Sequence, residues 1–117
     1  MQRDEWRDRI RDMLDAILEI QSFTAGLNLE TFSQDRKTTR AVAFDFVILG
    51  EALRHIPAEV RSRNPQIPWA NIRGMRNVIA HDYGSFDPEI VWKTIHSNLP
   101  PLVPILRHLL ESEANNQ

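Results

Sequence analysis

Apolar residues recur every three or four positions along most of the chain, which is the period of one face of an α-helix. No segment alternates apolar and polar residues with the period of two expected of a half-buried strand. The first helical face consists of Trp6, Ile10, Met13, Leu14, Ile17, Leu18 and Gln21. Gly26 follows it and can end the helix in the left-handed conformation. The pattern therefore predicts an all-helical protein.

A second helix is predicted from about Ser33, a suitable N-cap, to Ile56, with Pro57 ending it. Its second half, "AVAFDFVILGEALRHI", is apolar on nearly every side, as in the central helix of a bundle. Asp45 and Glu51 interrupt this apolar stretch. Both acids should require a partner if they are buried.

The stretch "PAEVRSRNPQIP" is rich in turn-forming residues, with room for one helical turn. A third helix is predicted to begin near Pro68, because proline is tolerated in a first turn. Gly84 marks its end. Its apolar positions are Trp69, Ile72, Met75, Val78 and Ile79.

A fourth helix is predicted to begin with Asp87 as N-cap and Pro88 in the first position. Three prolines must kink or interrupt it, since proline lacks the amide hydrogen that a helix interior requires. They are Pro100, Pro101 and Pro104. The last residues, about 112–117, are expected to fray. The prediction is thus a single all-α domain over residues 1–117, an antiparallel bundle of four or five helices.

Composition narrows the class of protein. The 117 residues are 42% hydrophobic and 26% charged, as in ordinary globular domains. No stretch approaches the roughly 20 apolar residues of a membrane span, and the charged N-terminus does not resemble a secretory signal. The chain has no cysteine, which excludes disulfides and thiolate metal sites. These features favour a cytoplasmic protein with no membrane partner.

Charge is unevenly distributed although the net charge is only −2. Residues 54–76 contain five arginines and one acid, Glu59, so they carry +4 and the rest of the chain carries −6. The planar guanidinium of arginine can bind phosphate through two hydrogen bonds. The alternative is that these arginines form a solvated face with no ligand.

The segment "RNVIAHDY", residues 76–83, carries unusual polarity for a bundle helix. Arg76 and Tyr83 are seven residues apart and share one helix face, while Asn77 and His81 are one turn apart on an adjacent face. Arg73 lies one turn before this set. The polar side chains would therefore line a groove or an interface.

These side chains suit metal-free cleavage of an RNA phosphodiester. Histidine transfers protons near neutral pH, arginine stabilises negative charge on phosphorus, and asparagine can orient either partner. Other interpretations stay open. His81 could interact with the end of its helix, Tyr83 could fill the core, and Arg76 could pair with Glu51 or Asp45.

Four stretches together carry a resemblance to a known family. Arg76, His81 and Tyr83 match an Arg-x4-His-x-Tyr motif, and "LGEAL" at 49–53, "IPWANIRGMRN" at 67–77 and "DPEIVWKTIHSNLPPL" at 87–102 occur in the family's order and spacing. The chain resembles the HepT toxins, a branch of the HEPN superfamily of small helical ribonucleases. The similarity covers most of the chain.

The resemblance implies a HEPN-like bundle that forms a homodimer with one composite cleft and cleaves RNA without a required metal or cofactor. It implies a toxin whose antitoxin is a separate MntA-type minimal nucleotidyltransferase that adds AMP to the motif tyrosine. Arg76 and His81 would be catalytic and Asn77 would support them. Tyr83 would accept AMP.

Three further assignments accompany this hypothesis. Arg73 would bind RNA phosphate, and Glu51 would orient the catalytic arginine. Asp82 would repel RNA if it faced the cleft; spacing does not fix its direction, and it could instead raise the pKa of His81.

Two other functions remain open at the level of sequence. A HEPN module can bind nucleotide or assist a nucleotidyltransferase without cleaving RNA, because fold does not fix function. A helical interaction protein is the third possibility. The remaining histidines have no spacing typical of a metal site and are predicted to face solvent or to be satisfied in place, namely His55, His96 and His108. Trp69 and Trp92 are predicted to fill the core.

Overall fold

The computed structural model describes residues 5–80 and 87–115, with backbone alone at 77–80 and 113–115. Within these ranges there are seven helices and no strand. They are α1 (Glu5–Thr24), α2 (Leu29–Gln34), α3 (Arg36–Leu53), α4 (Ala58–Arg63), α5 (Trp69–Ala80), α6 (Pro88–Ser97) and α7 (Leu102–Asn115). The all-helical prediction is confirmed: five longer helices form the bundle, and α2 and α4 are six-residue additions.

Helix α3 is central, as its apolar sequence predicted. It packs against α1 and α5, while α7 packs on α1 and α6 on α2. The core residues of α3 with no more than 3% exposure are Val42, Phe46, Leu49 and Leu53. Each buried side chain of this size contributes about 1.5–3 kcal/mol relative to leaving it in water. This packing holds both faces of α3 in a fixed register with their neighbours.

The predicted N-cap at Ser33 is wrong. The Ser33 hydroxyl donates to the carbonyl of Leu29 at 2.7 Å, inside α2. Helix α3 begins instead after Asp35, whose carboxylate accepts the amide N–H and hydroxyl of Thr38 at 3.0 and 2.7 Å. The apolar period ran through two consecutive helices, so the sequence pattern merged them. Helix α3 also ends at Leu53, three residues before the predicted end.

Two of the three prolines interrupt the predicted helix: Pro100 and Pro101 lie between α6 and α7, whereas Pro104 lies in the first turn of α7. The Asp87 carboxylate accepts the amide N–H of Glu89 at 3.0 Å, and Pro88 is the first residue of α6. Helix α6 ends at Ser97, before the proline cluster, and α7 starts at Leu102. Helix α7 runs as far as Asn115, and the expected fraying of the tail stays a prediction.

The start of α5 is also where the sequence placed it. The carbonyl of Pro68 accepts the amide N–H of Ile72 at 3.1 Å, which is the first hydrogen bond of the helix. The Trp69 indole donates to the carbonyls of Asn64 at 3.0 Å and Arg61 at 3.2 Å. These bonds tie α5 to the end of α4. The site described below therefore rests on an anchored helix.

The tryptophans pack as predicted, partly buried against the core. The Trp92 ring lies 5.1 Å from that of Phe32 and 4.3 Å from that of His96. None of the helices in residues 5–80 and 87–115 combines the length and the apolarity that crossing a bilayer requires.

Candidate functional site

Helices α3 and α5 approach each other closely at Gly50, which is buried. A Cβ added at Gly50 would lie 2.5 Å from the Cβ of Arg76 and 3.0 Å from its Cδ. Real Cβ atoms do not approach carbon so closely. The missing side chain at Gly50 therefore lets the stem of Arg76 pass over the surface of α3.

Glu51, the next residue of α3, bridges two arginines. Its Oε2 lies 3.1 Å from Nη2 of Arg76, and its Oε1 lies 3.2 Å from Nη1 of Arg54. The side chains of Glu51 and Arg76 are 35% and 41% exposed. Ion pairs with this much solvent contact contribute about 0–1 kcal/mol, so the pair does little for stability. The carboxylate of Glu51 lies between the guanidinium groups of Arg54 and Arg76.

The arginines line a hollow of about 450 Å³, which we name the arginine hollow; its lining residues are Gly50, Arg54, Arg73 and Arg76. Three guanidinium groups face one carboxylate, Glu51, so the surroundings keep a net positive charge. Among the described residues, Nε of Arg76 is buried and has no hydrogen-bond partner. An anion entering the hollow would meet guanidinium groups of three arginines, and phosphate matches their geometry.

The structure brings together three of the predicted site residues: Glu51, Arg73 and Arg76. The backbone of Asn77 continues α5, directly after Arg76. The remaining motif residues lie outside the described part of the chain, and these are His81, Asp82 and Tyr83. Their assigned roles therefore stay predictions.

Two residues of this site were missed from the sequence. In the sequence, Arg54 counts only among the five arginines of residues 54–76, and Gly50 is only part of the stretch "LGEAL". The available signal was spacing, because Gly50 and Arg54 are four residues apart and share one face of a helix. Spacing alone could not show that this face turns towards Arg76.

Arg76 pairs with Glu51, one of the two partners that the sequence allowed, and not with the other, Asp45. The side chain of Asp45 is 2% exposed and lies beside Glu19 of α1. Burial, together with a hydrogen bond and like charge from Glu19, raises the pKa of Asp45 to about 7. Asp45 and Glu51 are six residues apart and therefore face different sides of α3.

The other histidines behave as predicted. His55, His96 and His108 are exposed, and Nδ1 of His96 lies 2.9 Å from the carbonyl oxygen of Trp92. Across the described ranges, no three His, Asp or Glu side chains are arranged to hold a metal ion.

Comparison with known proteins gives a family. Residues 13–109 match the family model described as "Ribonuclease HepT-like". The chain is 35% identical over 96 residues to "Probable ribonuclease HepT" of Thermococcus cleftensis, covering 82% of this chain and 87% of that protein.

Further relatives carry similar names. One is "Putative RNase TTE0752" of Caldanaerobacter subterraneus subsp. tengcongensis, 34% identical over 88 residues, covering 75% of this chain and 79% of the relative. Another is "Putative RNase MJ0127" of Methanocaldococcus jannaschii, 28% identical over 100 residues, covering 86% and 83%. No solved structure matches the chain significantly.

Proposed function

Because the chain belongs to the HepT-like ribonuclease family, we propose that it is an endoribonuclease and the toxin of a HepT/MntA-type toxin–antitoxin pair. The observation that carries this proposal is the arginine hollow beside the start of the Arg-x4-His-x-Tyr motif. In it, Glu51 orients Arg76, and Arg73 and Arg54 add positive charge. A cationic recess that contains the motif arginine suits cleavage of an RNA backbone, because it can stabilise negative charge on phosphorus.

The proposed reaction is an internal transesterification. The 2′-hydroxyl of RNA attacks the neighbouring phosphorus, the bond from phosphorus to the 5′-oxygen breaks, and the products carry a 2′,3′-cyclic phosphate and a 5′-hydroxyl. A base removes the proton of the 2′-hydroxyl, and an acid supplies a proton to the leaving oxygen. His81 takes one of these roles, Arg76 stabilises the charge on the pentacoordinate phosphorus, and Asn77 positions the reacting groups.

A homodimer would supply the second proton-transfer group. Each chain offers one motif histidine, whereas the reaction requires an acid and a base. Two-fold symmetry places the same surface of both copies face to face, so two motifs can share one cleft. The positive arginine hollows would then flank a single RNA strand.

Silencing would act on Tyr83. The tyrosine oxygen attacks the α-phosphorus of ATP on an MntA-type nucleotidyltransferase, and pyrophosphate leaves, so that AMP stays on the side chain. On a helix, Tyr83 would share a face with Arg76, seven residues earlier. The added phosphate would pair with that arginine and block the RNA phosphate. Both enzymes would act in the cytoplasm.

The decisive experiment measures RNA cleavage and growth with the purified or expressed chain. Wild type should cut RNA in the presence of EDTA, leave 5′-hydroxyl ends and arrest growth. His81→Ala should abolish all three effects, and Arg107→Ala, an exposed arginine of α7, should retain them.

Two other outcomes would each favour one of the alternative functions. Tight nucleotide binding by wild type without cleavage of any RNA would favour a non-catalytic HEPN helper subunit. Motif substitutions that change only stability or assembly would favour a helical interaction protein.

A further inference from the structure

A second hollow lies between α1 and α3, and it is acidic. It has a volume of about 400 Å³, and its lining residues are Asp12, Asp15, Ala16, Glu19, Asp45 and Ile48. We name it the acidic hollow. Four of its six lining residues are carboxylic acids. Arg9 compensates part of this negative charge, because its Nε lies 3.0 Å from Oδ2 of Asp12. The family's RNA chemistry does not require such a surface.

Asp45 is the feature that points to a ligand. It lines the hollow and, at 2% exposure, is the most buried of the lining residues. Within the described part of the chain, its buried Oδ2 has no hydrogen-bond partner. A buried carboxylate oxygen left without a donor costs about 1–3 kcal/mol. A cationic donor entering the hollow would remove that cost.

The shape and chemistry favour a guanidinium over a metal ion. No set of three acids in the described ranges has metal-binding geometry. Ala16 and Ile48 give the hollow an apolar wall, against which the methylene groups of a long cationic side chain can pack. An arginine presents several donors in one plane, which matches paired carboxylates such as Asp45 and Glu19.

The surroundings indicate that the arginine comes from a protein. Among the described residues, four large apolar side chains are exposed, and three of them belong to α1 and α3: Leu18, Phe23 and Phe44. Phe44 is 66% exposed and precedes Asp45. Phe23 follows Glu19 by four residues, one turn along the same helix face. Exposed apolar and aromatic side chains beside a buried acid are typical of a protein–protein interface.

We propose that the acidic hollow between α1 and α3 receives an arginine side chain from a protein partner, with Phe44 and Phe23 contacting the partner around it. The guanidinium donates to the carboxyl oxygens of Asp45 and Glu19. The interaction is independent of RNA cleavage, because the arginine hollow lies on the α5 side of α3.

The test is an NMR titration of the full chain with the peptide acetyl-Ala-Arg-Ala-amide. Saturable changes are expected at the side-chain carboxyl carbons of Asp45 and Glu19 and at the methyl groups of Ile48. Asp45→Asn and Glu19→Gln should each weaken binding by about tenfold, the loss expected for a hydrogen bond to a charged group. Asp8→Asn, an exposed acid of α1, is the matched control and should bind as wild type does.

Three additional arms distinguish other occupants. The citrulline peptide has the same shape without the charge and should not bind. Equal binding of the citrulline peptide, or unchanged binding by Asp45→Asn, would overturn the proposal. So would tighter binding of Mg²⁺ alone or of spermidine alone at the same residues, since the hollow would then hold a free cation.

A second copy of this chain is the remaining occupant to exclude. Sedimentation of wild type and of Asp45→Asn should give the same oligomeric state. If Asp45→Asn dissociated a homodimer, the arginine would come from the chain itself and the proposed partner would be wrong. Thermal unfolding of each variant shows that it is folded, and Glu19→Gln changes only an exposed side chain.

Discussion

The two sides of α3 carry opposite charge in hollows of similar size. The arginine hollow of about 450 Å³ has one carboxylate, Glu51, among three guanidinium groups. The acidic hollow of about 400 Å³ has four carboxyl groups, and Asp45 is almost completely buried. In the arginine hollow, two of the three arginines pair with Glu51 and keep contact with solvent, so their charges cost the folded state little free energy. In the acidic hollow, burial and like charge raise the pKa of an acid, which costs stability.

The comparison suggests different tasks for the two sides. Exposed arginines held by one glutamate stay charged and available to a diffusing anion. A buried acid with an unsatisfied oxygen is tolerated only when something offsets its cost. The four predictions below test this contrast, from the largest expected effect to the smallest.

Replacing Arg76 should have the largest effect and should separate the two hollows. Arg76→Ala removes the group proposed to stabilise the phosphorane, and loss of one such donor lowers turnover by about 10²–10³. Asp45→Asn, on the opposite face, should leave the rate of RNA cleavage unchanged. Single-turnover cleavage of one RNA by both variants measures this. Equal losses in the two variants would remove the functional distinction between the hollows.

Replacing Gly50 tests how the arginine hollow is built. Alanine in a helix interior is normally about 0.5–1 kcal/mol more stable than glycine. At Gly50 the added methyl would collide with Arg76, so Gly50→Ala should destabilise the protein by about 1–3 kcal/mol and displace the guanidinium. Cleavage should fall by about tenfold to a hundredfold, because small misplacements are costly.

Gly74→Ala is the matched control for this substitution. Gly74 lies in α5, and a Cβ there would meet no atom within 4 Å. This variant should gain about 0.5–1 kcal/mol. Urea unfolding measures both variants, and a stabilised, fully active Gly50→Ala protein would show that the close approach does not position Arg76.

Replacing Asp45 tests the energetic cost on the acidic side. Its pKa is raised from 3.8 to about 7, so the folded state binds more protons than the unfolded state between these values. Stability from this group is therefore complete below pH 4 and is lost as pH rises through 7. Asn cannot ionise, so Asp45→Asn avoids this loss of stability. At pH 8 the variant should be more stable than wild type by about 1–2 kcal/mol, a figure reduced for solvent screening at the mouth of the hollow.

Urea unfolding of wild type, Asp45→Asn and Asp8→Asn at pH 5 and pH 8 measures that difference. The advantage of Asp45→Asn over wild type should grow with pH, whereas Asp8→Asn should show no such trend. An advantage that shrinks as pH rises would contradict the assignment of a raised pKa to Asp45.

Replacing Arg54 should have the smallest effect. Arg54 is 70% exposed and pairs with Glu51, so it is expected to contact RNA phosphate without a role in bond cleavage. Arg54→Ala should weaken RNA binding a few-fold and lower the slope of log affinity against log salt by about one. Fluorescence anisotropy at several salt concentrations checks this. An unchanged slope would place Arg54 outside the RNA contact.

Local signals in the sequence were sufficient for part of the fold. Asp87 and Pro88 form a helix start whose hydrogen bonds lie within three residues, so the sequence predicts it directly. The prediction of an N-cap at Ser33 was wrong because Asn28, Ser33 and Asp35 are all suitable N-caps within eight residues. Asn28 caps α2 and Asp35 caps α3, so the chain forms two helices where the apolar period predicted one.

A similar distinction, between local and tertiary signals, applies to the candidate sites. Spacing and family resemblance pointed to Arg73, Arg76 and Glu51, which the fold brings together. The contact of Asp45 with Glu19 joins residues far apart in sequence, and it depends on the register of α1 against α3. No pattern within one helix encodes that register, so the acidic hollow could not be predicted.

The most direct test of the central claim is an NMR titration with 2′-O-methyl RNA, which binds but cannot be cleaved at its blocked hydroxyl. The side-chain Nε–H signals of Arg73 and Arg76 should shift, while those of the carboxyl carbons of Asp45 and Glu19 should not. Arg76→Ala should weaken the binding. Shifts confined to the acidic hollow, or RNA binding that leaves Arg73 and Arg76 unchanged, would contradict the account.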